Sequence, residues 1–432
     1  MHWLLGWLAG LPLWINLSAP RPYEPIKIFL FEAGIAAALV VAISRMRRRG
    51  LLAEVDRISA KAHVLDAAVT LFVTALAVST VTSVDPAQSF WGSNERLTGL
   101  VFYWHCLLLY VIVRFNATRE DWRFFSRGCL LAAALVSAYG ILQWFGIDAP
   151  GLERAFPVFG RSGPGRAFAT LGHPNFLGAY LAMVAPLVLW IALDKRSRWW
   201  RRAALLTLPA MLAATALTYS RGAWIAFVGG LVVFACLARR RSRRWYALGA
   251  GGFVIAAVVA VGCLIAIKPK LLASSNSFLF RLGTVVDWER GSNLVRIRDW
   301  SYLLSLMPAR PLTGYGLDTY MDFAAGRHKD ENEKSRDIDY PDPSVADRAH
   351  NVFLDVLWAG GVLALAAFVA VIIAAARRLR GLFAADRDRR FQAAVAAGLA
   401  AYLIGNLLSF DFSVSAVYAF LFLAAAGYTG ET

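Results

Sequence analysis

The sequence predicts an all-α polytopic membrane protein of about twelve transmembrane helices, with one large loop on the outer side. Three observations predict it. The 432 residues are 58% hydrophobic and only 17% charged, whereas a soluble domain keeps about 25% charged residues to stay in water. Apolar runs of about 17–25 residues recur along almost the whole chain, each able to cross a ~30 Å hydrocarbon core as a helix. The basic residues between these runs are also distributed very unevenly, as membrane insertion requires.

In chain order the runs place helices at 3–18, 26–44, 65–83, 99–115, 125–145, 175–193, 203–219, 223–238, 246–267, 351–376, 391–409 and 413–428. No signal-peptide cleavage site follows the first run, so it is expected to remain as a helix. Five stretches between helices, 45–61, 114–127, 195–202, 239–244 and 377–390, carry 26 of the 45 Lys and Arg residues. The short connections on the opposite side carry 7. The positive-inside rule then puts both termini in the cytoplasm. The chain divides into helices 1–9 (residues 1–267), a loop at 268–350, and helices 10–12 (residues 351–432).

A net charge of +16 in a soluble chain would suggest nucleic acid. Here the basic clusters act as topology signals, and no nucleic-acid partner is expected. Cys106, Cys129, Cys236 and Cys263 fall inside apolar runs with no metal or disulfide spacing, so they read as small packing residues.

The segment 268–350 behaves differently. Its 12 basic residues are balanced by 12 acids, and a loop this long is uncommon unless it is functional or disordered. Between Ser292 and Met307, Leu294, Ile297, Trp300 and Leu304 recur at helical spacing, which predicts an amphipathic helix on or between the transmembrane helices.

Several polar groups are expected at the outer surface. Arg161 and Arg166 lie in a glycine-rich loop that runs into Gly172-His173-Pro174-Asn175. Arg221 sits in Tyr219-Ser220-Arg221-Gly222, a tight junction between two apolar helices, where its charge needs a specific partner. Arg296 and Arg298 lie on the loop helix, and Asp347-Arg348-Ala349-His350-Asn351 closes the loop. Arginines at one depth near glycine-rich turns suit a phosphate, because the guanidinium is planar, always charged and bidentate. A single such arginine also fits plain snorkelling to headgroups. His350 has the chemistry of a general base; a capping or interface histidine is the competing reading. Asp347 could cap the following helix or orient His350. Inside the membrane, Glu32 is expected to pair with Lys27 or an arginine, and His105 to be a satisfied bundle histidine.

These motifs resemble the O-antigen ligase/polymerase superfamily of bacterial membrane glycosyltransferases. The matching pieces are Asp85-Pro86, Ser89-Phe90-Trp91-Gly92 and Glu95-Arg96; Gly172-His173-Pro174-Asn175; Tyr219-Ser220-Arg221-Gly222-Ala223-Trp224; Gly314-Tyr315-Gly316-Leu317-Asp318; and His350-Asn351 with Gly360-Gly361. The resemblance implies a GT-C-like fold and an inverting transfer that needs no metal and no cofactor. The implied donor is a glycan on undecaprenyl diphosphate and the acceptor is lipid A–core, with membrane lipids around the site. By the same resemblance His350 is the base or acceptor-positioning group and Arg221 a diphosphate ligand. Arg166, Arg298 and Arg161 become further phosphate ligands, with Asp347, Arg348, Asn351, Ser220, His173, Asn175 and Tyr315 in support. A polymerase or protein-glycosylating relative remains the alternative, and a solute transporter the distant one.

Overall fold

The computed structural model describes residues 1–19, 21–94, 96–147, 165–239, 261–287, 291–323, 348–385 and 388–428. These residues form a helical bundle, with no strand among them. In order, the helices are α1 (His2–Ala9), α2 (Glu24–Arg49), α3 (Leu51–Lys61), α4 (Val64–Val81), α5 (Pro86–Trp91), α6 (Leu100–Asn116), α7 (Arg119–Trp144), α8 (Pro174–Leu193), α9 (Arg198–Leu217) and α10 (Arg221–Leu237). After them come α11 (261–273), α12 (Ser277–Gly283), α13 (Gly291–Leu306), α14 (Val352–Ala384), α15 (Arg389–Asn406) and α16 (Ser413–Gly427). Among the described residues, five helices are long and apolar enough to cross a membrane, namely α2, α4, α7, α8 and α14; α6, α10 and α16 are shorter and equally apolar.

Several helices begin at a side-chain cap. Thr118 and Asp121 form a reciprocal capping box at α7, and Asp85 accepts from Gln88 N ahead of Pro86 at α5 (2.9 Å), each satisfying backbone N–H groups that a helix start leaves open. The first helix is shorter than its apolar run. Pro12 cannot continue an α-helix, and the chain passes into a 3-10 turn at Leu11–Leu13. The expected helix at 246–267 lies largely outside the described residues, which resume in helix at 261.

Helices α8 and α16 sit at the centre, apolar on all sides and enclosed by their neighbours. That is how a helix without a polar face is accommodated. Small residues allow the close approaches: Gly178 faces Ala223, and Gly398 lies under the Phe422 ring, the packing that holds helices together in lipid.

The basic stretches at 45–61, 114–127, 195–202 and 377–390 meet at one end of the bundle, where the end of α10 also lies; residues 240–244 of the fifth stretch lie outside the described residues. Arg57 donates to Phe115 O (2.7 Å) and Arg114 to Lys61 O (2.9 Å). Arg119 pairs with Asp388, Arg389 donates to Leu237 O (3.0 Å), and the Arg127 guanidinium lies over Trp200. The folded chain therefore has one basic end, and the loop groups collect at the other. Cys106 and Cys129 pack in the core, while Cys236 is half-buried and Cys263 exposed.

One break in α14 shapes the far end. Gly360 and Gly361 leave helical geometry (Gly361 φ 62°), and the segment 311–316 fills the gap. Tyr315 N donates to Trp358 O (2.8 Å) and Gly316 N to Ala359 O (3.1 Å). Val362 N and Leu363 N donate in return to Pro311 O (2.9 Å) and Leu312 O (3.2 Å). A Cβ on Gly314 would come within 2.3 Å of Trp358 O, so this approach requires glycine. Backbone groups freed by the kink are thus satisfied by protein, as membrane burial demands.

Two sequence expectations are corrected here. Glu32 pairs with neither Lys27 nor an arginine: its carboxylate lies 3.9 Å from His105 Nδ1. Lys27 instead donates to Tyr23 O (3.2 Å) and Thr170 O (2.8 Å). The loop helix forms and Trp300 packs inward as expected, but two members of its apolar stripe face out. Leu303 and Met307 pack on Tyr315, Tyr320 and Trp358, whereas Ile297 and Leu304 are 39% and 49% exposed. The docking partners, invisible to periodicity, set the buried face.

Candidate functional site

At the end opposite the basic loops, four arginines from three chain segments gather around the start of α10. Arg166 leads in from the segment before α8. Its Nε donates to Thr218 O at 2.8 Å and its guanidinium reaches Asn175 Oδ1 at 3.5 Å. Asn175 itself follows the α8 cap, where His173 Nδ1 accepts from Asn175 N (3.1 Å). Arg221 begins α10 after Ser220, the N-cap residue, and the left-handed Tyr219 (φ 51°). It donates to Thr284 O and to Asn293 Oδ1 (2.8 Å). Arg281 is buried on α12 and Arg296 projects from α13.

The cluster is electrostatically crowded. Burial lowers Arg166 to about 9, with Arg281 and Arg221 adding repulsion. Burial lowers Arg296 to about 10, with Arg281 adding to it, and burial lowers Arg281 as well. All remain cationic at neutral pH. Asp287 faces Arg221 but already pairs with Lys268 (3.0 Å). Like charges held together in a low-dielectric setting raise one another's energy. An oxyanion with several acceptor oxygens relieves that repulsion and takes bidentate hydrogen bonds.

His350 stands beside this cluster, across the turn 407–410. Asn351 donates to Leu407 O (3.2 Å), and the α10 start at Gly222 lies against Gly405 and Leu408. The His350 ring meets Phe410 edge to face (5.0 Å), and the Arg96 guanidinium lies 4.4 Å from that same ring. His350 Nδ1 is 2.9 Å from Arg348 O. A carbonyl only accepts, so Nδ1 carries the proton and Nε2 is the basic nitrogen, the tautomer a general base needs.

The sequence-derived candidates sort clearly. Arg166, Arg221, His173, Asn175, Ser220, Arg348, His350 and Asn351 lie at this end. Arg298 is exposed on α13, and Arg296 is the loop-helix arginine within the field of Arg281. Asn351, rather than Asp347, caps α14, accepting from Phe353 N and Leu354 N (3.0 and 3.3 Å). Tyr315 is a packing residue, stacked on Trp358 (4.2 Å) with its hydroxyl on Leu306 O (2.7 Å). Arg161 and Asp347 lie outside the described residues. Arg281 was not anticipated. Its signal was a lone cation inside Ser277-Phe278-Leu279-Phe280-Arg281-Leu282-Gly283, the same isolation that singled out Arg221.

Below the site lies a cavity of about 480 Å³ with mainly apolar walls, among them Phe72, Leu76, Phe102 and Val356; Thr98, Arg348, Asp355 and Asp411 contribute polar groups to it. Among the described residues, no group of three or more His, Cys, Asp and Glu side chains could hold a metal ion.

Fold and cluster define a class: a multi-pass helical membrane protein that concentrates cations at one end of its bundle, beside a histidine. Residues 206–369 match the family model described as O-antigen ligase. The matched stretch holds Arg221, Arg281, Arg296, Arg348 and His350. No curated protein matches the chain.

Proposed function

We propose that this protein is an O-antigen ligase. It takes a glycan from undecaprenyl diphosphate and joins it to lipid A–core on the periplasmic face of the bacterial inner membrane. The observation that carries the reading is the convergence of Arg166, Arg221, Arg281 and Arg296 at the end of the bundle that also presents His350. In this reading the positive-inside asymmetry keeps both termini cytoplasmic.

His350 Nε2 takes the proton of an acceptor hydroxyl. The oxygen attacks the anomeric carbon from the face opposite the diphosphate, so configuration inverts. The bond to the diphosphate oxygen breaks, and its electron pair stays on the leaving group, where the guanidiniums balance the charge. Fixed cations already in place do for the leaving group what a divalent ion does elsewhere. The apolar cavity offers protein walls to part of the polyprenyl chain.

Expression in a ligase-deficient strain tests the reading. The wild-type chain is expected to restore capped lipopolysaccharide, while His350→Ala and Arg221→Ala, present in the membrane, leave carrier-linked glycan to accumulate. Longer carrier-linked chains with no capping by the wild type would identify a polymerase instead.

A further inference from the structure

Residues 348–350 are held from several directions by groups to which no role has so far been assigned. The Arg348 guanidinium donates to Asp318 Oδ1 (2.5 Å) and to Thr98 Oγ1 (2.8 Å). The other Asp318 oxygen accepts from Ser93 N (2.6 Å). Ala349 N donates to Asp355 Oδ1 (2.8 Å), and Ala349 O accepts from Trp300 Nε1 (2.6 Å). The segment carries backbone strain, since His350 sits at φ 55° and Asp318 at φ 62°, conformations that non-glycine residues adopt only when their surroundings impose them. Asp318 and the Arg348 side chain are nearly buried, 4% and 12% exposed.

We propose that Asp318 is a positioning residue for His350, acting through its ion pair with Arg348. The pair fixes the Arg348 carbonyl, and that carbonyl fixes the tautomer and direction of the imidazole. Removing one member of such a buried pair withdraws the contact that orients the other, so the His350 turn shifts while the arginine cluster around Arg221 keeps its own contacts. The Gly314–Tyr320 segment thereby links the α14 kink to the base. This inference rests on the assignment of His350 as the base. It adds that the base is aimed by an acid two segments away.

Among the described residues, the charged groups around the His350 turn include Arg348, Asp318, Asp355, Arg96 and Asp411. Asp318→Asn keeps an acceptor for Ser93 N but removes the negative charge paired with Arg348, which disfavours imidazolium at His350.

The test has two readouts on full-length protein in nanodiscs. Diethyl pyrocarbonate acylates neutral imidazole, so the pH dependence of His350 modification, followed by mass spectrometry, reports its ionisation without any turnover. Transfer kinetics with undecaprenyl-diphosphate-linked glycan and lipid A–core report function. In Asp318→Asn the modification profile is expected to move to lower pH by roughly half a unit or more. With it, kcat falls at least about tenfold while donor KM holds, and Asp318→Glu restores part of both. An unchanged modification profile in folded Asp318→Asn overturns the proposal, even if transfer is lost. A shifted profile in a protein whose wild type transfers nothing supports the positioning role and removes the ligase reading instead.

Discussion

Arg221, the first residue of α10, donates to Asn293 Oδ1, at the start of loop helix α13, at 2.8 Å. Asn293 in turn donates to Thr284 O (3.2 Å) and Asp287 O (2.7 Å). One guanidinium therefore joins a span to the loop above it, placing Arg281 and Arg296 around the same point. A buried charge at a helix junction needs such partners, and the loop acquires its position from them.

Arg221→Ala is expected to release that docking as well as abolish transfer. Rates should fall at least about a hundredfold, and limited proteolysis within 268–350 should accelerate. Arg221→Lys, which restores charge but not the planar fork, should recover proteolytic resistance more than turnover. Equal cleavage of wild type and Arg221→Ala would show that the loop is held by other contacts.

Arg296 and Arg298 provide a discriminating pair on one helix. Arg296→Ala should weaken undecaprenyl diphosphate binding by about tenfold or more, whereas Arg298→Ala should change it by less than about threefold. Titration of the two variants by thermal shift separates them, and the reverse ranking would place the wrong helix face on the site.

Crowded guanidiniums predict anion-dependent stability. Diphosphate at millimolar concentration should raise the Tm of the full-length protein by several degrees at low ionic strength, and chloride at equal ionic strength should not. Arg281→Ala should itself be less destabilised than its burial suggests, because it relieves repulsion on Arg166 and Arg296, and it should lose most of the diphosphate effect. An undiminished diphosphate effect in Arg281→Ala argues against a shared site.

Much of the helical framework was legible in the sequence, because apolar runs have to become helices in lipid. The clustering of basic loops was legible as well: among the described residues, those at 45–61, 114–127, 195–202 and 377–390 lie at one end. What periodicity could not supply was anything set by a tertiary partner. The buried face of α13 is turned toward Leu303 and Met307 because Tyr315, Tyr320 and Trp358 wait there. Which of Arg296 and Arg298 lies near Arg281 was open for the same reason; Arg296 does, and Arg298 is exposed. Arg281 went unnoticed because a lone arginine in a long loop carries no spacing signal. The meeting of Gly314–Gly316 with Gly360–Gly361 was present as two separate motifs whose contact only folding reveals.

Asp411, in the turn between α15 and α16, gives a pH signature. Burial pushes its carboxyl up from 3.8 to about 6, against the pull of hydrogen bonds from Ser415 and Tyr402. A carboxyl raised in the folded state favours folding when protonated, and that contribution is lost as pH climbs from about 4 through about 6. Wild-type Tm should therefore decline over that interval relative to Asp411→Asn. Parallel Tm profiles across pH 4–7 would contradict a strained carboxyl at this position.

In the proposed reaction fixed arginines hold a lipid diphosphate while His350 activates the acceptor. Its most direct test is transfer by purified full-length protein, with undecaprenyl-diphosphate-linked glycan, lipid A–core and excess EDTA, comparing wild type with His350→Ala. Inverted product is expected from the wild type despite EDTA, and from His350→Ala a loss of about a hundredfold or more with donor binding retained. Activity abolished by EDTA and restored by Mg²⁺, or full turnover by His350→Ala, would contradict it.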